Sequence, residues 1–559
     1  MTPPPWSATA TPSRRASSST AGGDVDASGK GGSLTGNIAD VPVAGAIQGF
    51  GAAIAGAGVD NATAANLTSS NAGGTDITGG QGGSVAGNVA QVPLAPVVGV
   101  LGDTVTAAGV GNSVADNKVF DTAGKDVLTD GSEAAISGNV AKVPAAATAQ
   151  VLGDAVTLGG IANAMAHSYT DPSAGGDTTT SGKLGSVAGN VAQVPAAVNA
   201  QVLSDSVGAL GNAANETTSW TGNFAGGNTH TTGMFGAISG NLAQVPLVGN
   251  AEVLDDAVGA GGLAFDKSST SAINTAGGEA TTSGVLGSVA GNLASVPVVA
   301  DAQVTQDAVS AAGQAFHAGA NKVVDLAGGD VKTNGTGGSI SGDLLQVPVA
   351  AIAGVFTDAA TVGGISATKG VNVTDVASGG SQSTAGVTKT LSGLNGHLPV
   401  GALVQVFNVP LEVFGTALAH GQNVTSAVVG EEKPALDLPI SSRGLMGARE
   451  LPSMPSLSAL PTNAGLPVAG LGVDSLMTLA APLAGLAHAV PGLPAQERDM
   501  PSMSGLLPTD NLIPGAHLAQ LPQLDGVRVT PNVAGGAREL PGQDLLSGLG
   551  SMTEGLHLG

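Results

Sequence analysis

Cysteine is absent from the 559 residues. That excludes disulfide staples, thiolate metal sites and cysteine nucleophiles, and leaves the redox compartment open. Aromatic side chains are almost as scarce, with two Trp, one Tyr and nine Phe. Large aromatics dominate the burial of core area, so this chain can bury apolar surface only thinly, residue by residue. Positive charge is short as well: 18 Lys+Arg stand against 41 Asp+Glu, a net charge of -23. Nucleic-acid phosphates are held by clustered Lys and Arg, so no nucleic-acid partner is expected. The acidity instead keeps an Ala/Gly/Val-rich chain soluble. The first residues, MTPPPWSATATPSRRASSST, lack the apolar centre of a signal peptide. Residues 475–493 come closest to a membrane span, but Pro482, His488 and Pro491 interrupt them. A buried or disordered segment is the expectation there, with no transmembrane span.

Glycine is what the chain has in excess, 88 residues, and it falls in register. Pro42, Pro93, Pro144, Pro195, Pro246, Pro297, Pro348 and Pro399 are each 51 residues apart. Three glycine columns keep the same step, from Gly22 to Gly379, from Gly29 to Gly386 and from Gly36 to Gly393. No insertion or deletion breaks the frame across eight copies. Recent duplication would produce this, and so would stacking, because a solenoid passes each unit's geometry to its neighbour. The chain therefore divides into a disordered N-terminal tail (1–19), eight tandem 51-residue repeats (20–427) and a Pro/Leu-rich low-complexity tail (428–559). In the tail the prolines of LDLPI, RELPSMPSLSALP and GLPAQERDMPSMSGLLP forbid long helices and central strands, and disorder with short helical fragments is expected.

Within a copy, GSVAGNVAQVP (83–93) alternates and ends on Val-Pro, and reads as a short strand or a pair of strands with a Gly-Asn bend. The next part centres on Asp103, Asp154, Asp205, Asp256, Asp307 and Asp358, each three residues after a valine. Gly102-Asp103 reads as a turn between strands. Residues 195–215 also place Val198, Val202, Leu203, Val207 and Leu210 at helix-like spacing. Alanine favours helix there and valine favours strand, periodicity does not settle such short runs, and strand is the reading adopted. The polar stretch AGGDTTTSGKLGS (174–186) reads as the connector between units. The fold expected is mainly β: a solenoid-like tandem array with room for short helices and disordered tails.

Chemistry is hard to find. The histidines (His167, His230, His317, His397, His420, His488, His517, His557) form no ligand or catalytic spacing, and packing or solvent-facing roles are expected. Gly182-Lys183 and Gly29-Lys30 lack the phosphate-loop pattern. The column Asp24, Thr75, Asp126, Asp177, Asn228, Glu279, Asp330, Ser381 invites comparison with calcium-binding β-rolls. Its plainer reading is a solvated turn capped by a short polar side chain. The expectation is no enzyme, with no catalytic, cofactor-binding or metal-binding residue. The Asp103 column is expected at a solvent edge, where its charges repel and restrain association until acidification toward the aspartate pKa of about 4.

The stretch GNVAQVPLAPVVGVLGDTVTAAGVGNSVADN (87–117) resembles the chaplins, small secreted actinobacterial proteins that assemble into amphipathic, amyloid-like films. Gly87-Asn88-Val89, Gln91-Val92-Pro93, Gly102-Asp103-Thr104-Val105 and Gly111-Asn112 carry the resemblance in order, and most copies repeat it. Chaplin domains usually have two cysteines, where Leu101 and Val114 stand here, and denser Val-x-Val alternation. The resemblance implies a secreted or cell-surface structural protein that self-associates or coats a hydrophobic interface or cell wall. Its valine rows would lie on one face, with Asp, Asn and Thr on the other. The rival expectation is an extended adhesin or stalk with a partner-binding C-terminal tail.

Overall fold

The computed structural model describes residues 7–9, 13–254, 256–386, 391–430 and 528–530. Each 51-residue copy is one coil of a parallel β-solenoid. One coil runs through the strands Val110–Ala123, Val127–Asp130, Ile136–Ser137, Val140–Lys142, Ala145–Leu152 and Ala155–Thr157. Each pairs in parallel with its equivalent one coil on, as in Val110↔Ile161, Val140↔Val191 and Ala145↔Ala196. The result is six parallel sheets, one of 11 strands, four of 8 and one of 7. Because every strand pairs with its own repeat, each coil advances one strand spacing, about 4.8 Å. An inserted residue would turn every later side chain of its strand to the opposite face, which accounts for the unbroken frame.

Strand wins over helix in residues 195–215, which form Ala196–Leu203, Ser206–Gly208 and the start of Asn212–Ala225. Among the described residues there is no helix. GSVAGNVAQVP is a pair of strands, Val85–Ala86 and Val89–Gln91, broken at Gly87-Asn88. Two expectations are corrected. The stretch 174–186 is more than a connector, because Thr178–Ser181 is a strand of one of the 8-stranded sheets. Gly102-Asp103 lies between two strands as expected, and because these belong to different sheets it makes a corner of the coil. The expected disordered N-terminal tail (1–19) overlaps Ser13–Ala21, a strand paired in frame with Ala64–Ala72. At the other end the array runs on to Val429. The tail expectation for 431–527 and 531–559, including the span candidate 475–493, lies outside the described residues. Within the tail, Arg528–Thr530 pairs with Ser426–Val428.

The interior is built from columns of small residues. Ala72, Ala123, Ala174, Ala225, Ala276 and Ala327 pack against Ala44, Ala95, Ala146, Ala197, Val248, Val299 and Ala350. A second column stacks Val89, Val140, Val191, Leu242, Leu293 and Leu344 against Val127, Ala280 and Val331. A third stacks Leu101, Leu152, Leu203 and Leu254 against Ala115 and Ala166. Leu101 is therefore interior, whereas Val114 lies on the outward side of its strand.

The proline column and the first glycine column meet across the coil. Gly124 has φ +62, and a Cβ there would stand 2.9 Å from Cβ of Pro93. Only glycine offers both the left-handed backbone and the room.

Candidate interaction surface

Strict alternation along Ala145–Leu152 and its equivalents decides what each side of one 8-stranded sheet shows. Its strands are Ala46–Phe50, Leu94–Leu101, Ala145–Leu152, Ala196–Leu203, Leu247–Leu254, Val298–Thr305, Val349–Phe356 and Val400–Phe407. The outward positions of these strands hold only Gly, Ala, Pro, Val, Leu and Ile. Val100, Val151, Val202, Val253, Val304, Val355 and Val406 make one ridge. The neighbouring column is mostly alanine: Ala149, Ala200, Ala251, Ala302 and Ala353. Ile47, at the first coil, is 91% exposed and Val404, at the last, 69%. Exposed aliphatic residues also stand on two other sheets, Ile136, Val187, Ile238, Val289 and Ile340 on one and Val105, Val156 and Val309 on the other.

The inward positions of the same strands include polar ladders in the middle coils, flanked by apolar residues such as Ala146 and Leu152. Gln201 donates to Oε1 of Gln150 at 3.3 Å and to Oγ1 of Thr221 at 2.6 Å. Asn199 donates to Asn250, and Asn250 to Asp301, at 2.9 and 2.8 Å. In the middle coils this sheet therefore holds hydrogen-bonded amides within and aliphatic side chains without. Burying those amides is tolerable because they are paired. An exposed contiguous apolar patch is the informative departure from ordinary surfaces.

Charge is placed elsewhere. The long-strand sheet carries Asp116, Lys118, His167, Glu216, Lys267 and Lys322 at outward positions, with Lys267 and Glu216 paired at 2.7 Å. Phe120, Tyr169 and Trp220 stack there as a short aromatic row, with Tyr169 and Trp220 4.3 Å apart. Lys332 pairs with Glu279 at 2.6 Å.

The polar columns singled out in the sequence are backbone-holding ladders. The N–H groups of Asp154, Asp205, Asp256 and Asp307 each donate to the carboxylate one coil earlier at 3.2 Å. Asp358 and Val409 continue the row. These aspartates sit half-buried, which corrects the expected solvent edge, and burial shifts their titration. It pushes Asp103 up to about 6, and Asp205 and Asp307 up to about 7. For Asp154 burial acts together with the charges of Asp205 and Asp103, reaching about 8.

In the other column, Thr75, Asp177, Asn228, Glu279 and Ser381 donate their N–H groups to Asp24, Asp126, Asp177, Asn228 and Asp330 at 2.7–2.9 Å. Among the described residues no group of three or more His, Asp or Glu could hold a metal ion. An asparagine ladder runs from Asn37 to Asn292, each Oδ1 accepting the next coil's backbone N–H.

Buried titratable side chains also escaped the sequence reading, among them a His317–Asp266 pair and Lys142. His317 Nδ1 lies 2.8 Å from Oδ2 of Asp266, both side chains fully buried, and Ser204 Oγ donates to Oδ1 of the same carboxylate. His317 does have a carboxylate neighbour, one coil away, and the 51-residue frame was the signal that could have found it. The cluster is sealed inside the coils, so its residue types do not make it a catalytic triad within reach of a substrate. Lys142 occupies the column of Gln91, Gln193 and Gln244, and its Nζ donates to the carbonyls of Gly176 and Lys125 at 2.8 and 3.2 Å. Burial pulls it down to about 8.

Among the described residues no helix is long and apolar enough to cross a membrane. Comparison of the chain with family models, curated proteins and solved structures finds no match.

Proposed function

We propose that this is a non-enzymatic structural protein, at a cell surface or secreted, whose apolar sheet face coats a hydrophobic interface or drives self-association. The observation that carries the reading is the outward face of the eight strands from Ala46–Phe50 to Val400–Phe407, which bears no charged or hydrogen-bonding side chain. Burial of such a face against air, lipid or another apolar surface removes aliphatic area from water without desolvating a polar side chain. The resemblance to the chaplins points to the same role and is the ground for the proposed location.

Geometry weighs against the rival stalk. Eight coils rising about 4.8 Å each reach about 40 Å, whereas the same residues as an extended polyproline-type linker would reach on the order of 1,000 Å. As a spacer the array is a poor use of chain.

The test is surface tension in a pendant drop. The protein should adsorb and form an elastic film, and Val202→Asp with Val253→Asp should slow adsorption at least tenfold. Equal adsorption by the variant would remove the face from the mechanism, and an inert parent would overturn the reading.

A further inference from the structure

We propose that in solution the apolar sheet face is covered by the same face of a second copy of this chain, forming a two-fold dimer that opens when a hydrophobic surface competes for it. The inference rests on the coating role and names what occupies the face in its absence.

Size is the first argument. Eight strands about 4.8 Å apart, each about eight residues of ~3.3 Å, span roughly 1,000 Å². Two such faces together would remove about 2,000 Å² from water, at the upper end of standard stable interfaces, and single exposed apolar patches beyond about 600 Å² are unusual on monomers.

Composition is the second. The outward side chains of these strands are all aliphatic, so pairing leaves no buried charge or unpaired polar side chain. The alanine column Ala149, Ala200, Ala251, Ala302, Ala353 lies beside the valine ridge. Small residues let an opposing sheet approach to the usual separation of about 10 Å, and a dry interface of interdigitated small aliphatics is the most compact kind.

Commensurability is the third. Both partners repeat at one strand spacing, so a contact made well at one coil is made at every coil, and a two-fold axis makes the patch its own complement. A lipid or unrelated protein offers no such match.

One other occupant, the C-terminal tail, is disfavoured by position. The described strand of the C-terminal tail, Arg528–Thr530, pairs with Ser426–Val428 at the edge of the long-strand sheet, away from this face. The ion-paired residues Lys267 and Glu216 also lie on the long-strand sheet, so their charges stay in water when two apolar faces meet.

The experiment is sedimentation equilibrium of the full chain at neutral pH and micromolar concentration. The expected mass is twice 53.3 kDa, falling to the single-chain mass for Ala200→Arg with Ala251→Arg and unchanged for Ser269→Arg on the long-strand sheet. A parent that is monomeric at tens of micromolar, or an arginine variant that stays dimeric, overturns the proposal. Should the arginines perturb folding, the cysteine-free background offers a milder readout. A thiol from Ala200→Cys should react with maleimide at least tenfold more slowly than one from Ser269→Cys, and equal rates overturn the proposal. A monomer that still forms films sinks the dimer and leaves the coating role standing; a dimer that never adsorbs does the reverse.

Discussion

The backbone N–H of Asp154 donates to Oδ1 of Asp103 at 3.2 Å. Residues 51 apart in sequence thus share one hydrogen bond, and the next three coils repeat it at the same distance. The carboxylate closes a coil corner, and burial pushes its titration up to about 6.

This arrangement sets a pH dependence. In the folded chain Asp103, Asp154, Asp205 and Asp307 titrate at about 6 to 8, against about 4 unfolded. Between those values the folded state binds more protons, so the stabilisation is full below pH 4 and is lost as pH rises through 6 to 8. The urea midpoint should therefore be higher at pH 5 than at pH 8. Asp76 and Asp121, also raised to about 6 by burial, add to the same slope. Replacing Asp103, Asp154, Asp205, Asp256, Asp307 and Asp358 by asparagine keeps an acceptor oxygen in place and should flatten the slope over pH 6–8. An unchanged slope would assign the dependence to other groups.

Lys142 has the opposite sign. Its pKa falls from 10.5 to about 8 by burial, so its charged form is disfavoured in the fold at neutral pH. Lys142→Gln restores the residue type found at Gln91 and Gln193 in the same column. The substitution should stabilise the protein by about 1 kcal/mol or more at pH 7, read as a higher thermal midpoint, and by progressively less as pH rises above 8.

The glycine–proline contact can be tested locally. Gly124→Ala forces a side chain into left-handed backbone and toward Pro93, and should cost about 1–3 kcal/mol. Gly49→Ala, where an added Cβ meets nothing within 4 Å, should be within about 0.5 kcal/mol of the parent. Matched denaturant curves for the two variants decide the point.

The buried pair supplies a further test. His317→Leu leaves the Asp266 carboxyl without its 2.8 Å partner, and should destabilise by about 3 kcal/mol. Asp266→Asn combined with His317→Gln keeps a hydrogen-bonding pair and should recover much of that loss.

Some of this was legible in the residues themselves. Pro93 to Pro144 and Gly124 to Gly175 define a 51-residue frame without any structure, because register errors in stacked strands reverse side-chain faces and are not tolerated. The strand pair around Gly87-Asn88 was legible for a similar reason, since positive φ at Gly87 and the restriction before Pro93 punctuate it. The strand Asn212–Ala225 was not. Its residues NETTSWTGN look like loop, and they become strand because Asn223 hydrogen-bonds Asn274 in the next coil at 2.7 Å. Likewise Thr178–Ser181 is polar and Gly-flanked, yet it is held by the coils on either side. Local pattern carries the period and the breaks, because those depend on each residue's own backbone preferences. Which side of Ala145–Leu152 faces water, and that the aliphatic side does, was decided only by the tertiary structure, because inside and outside exist only once the coil has closed on itself.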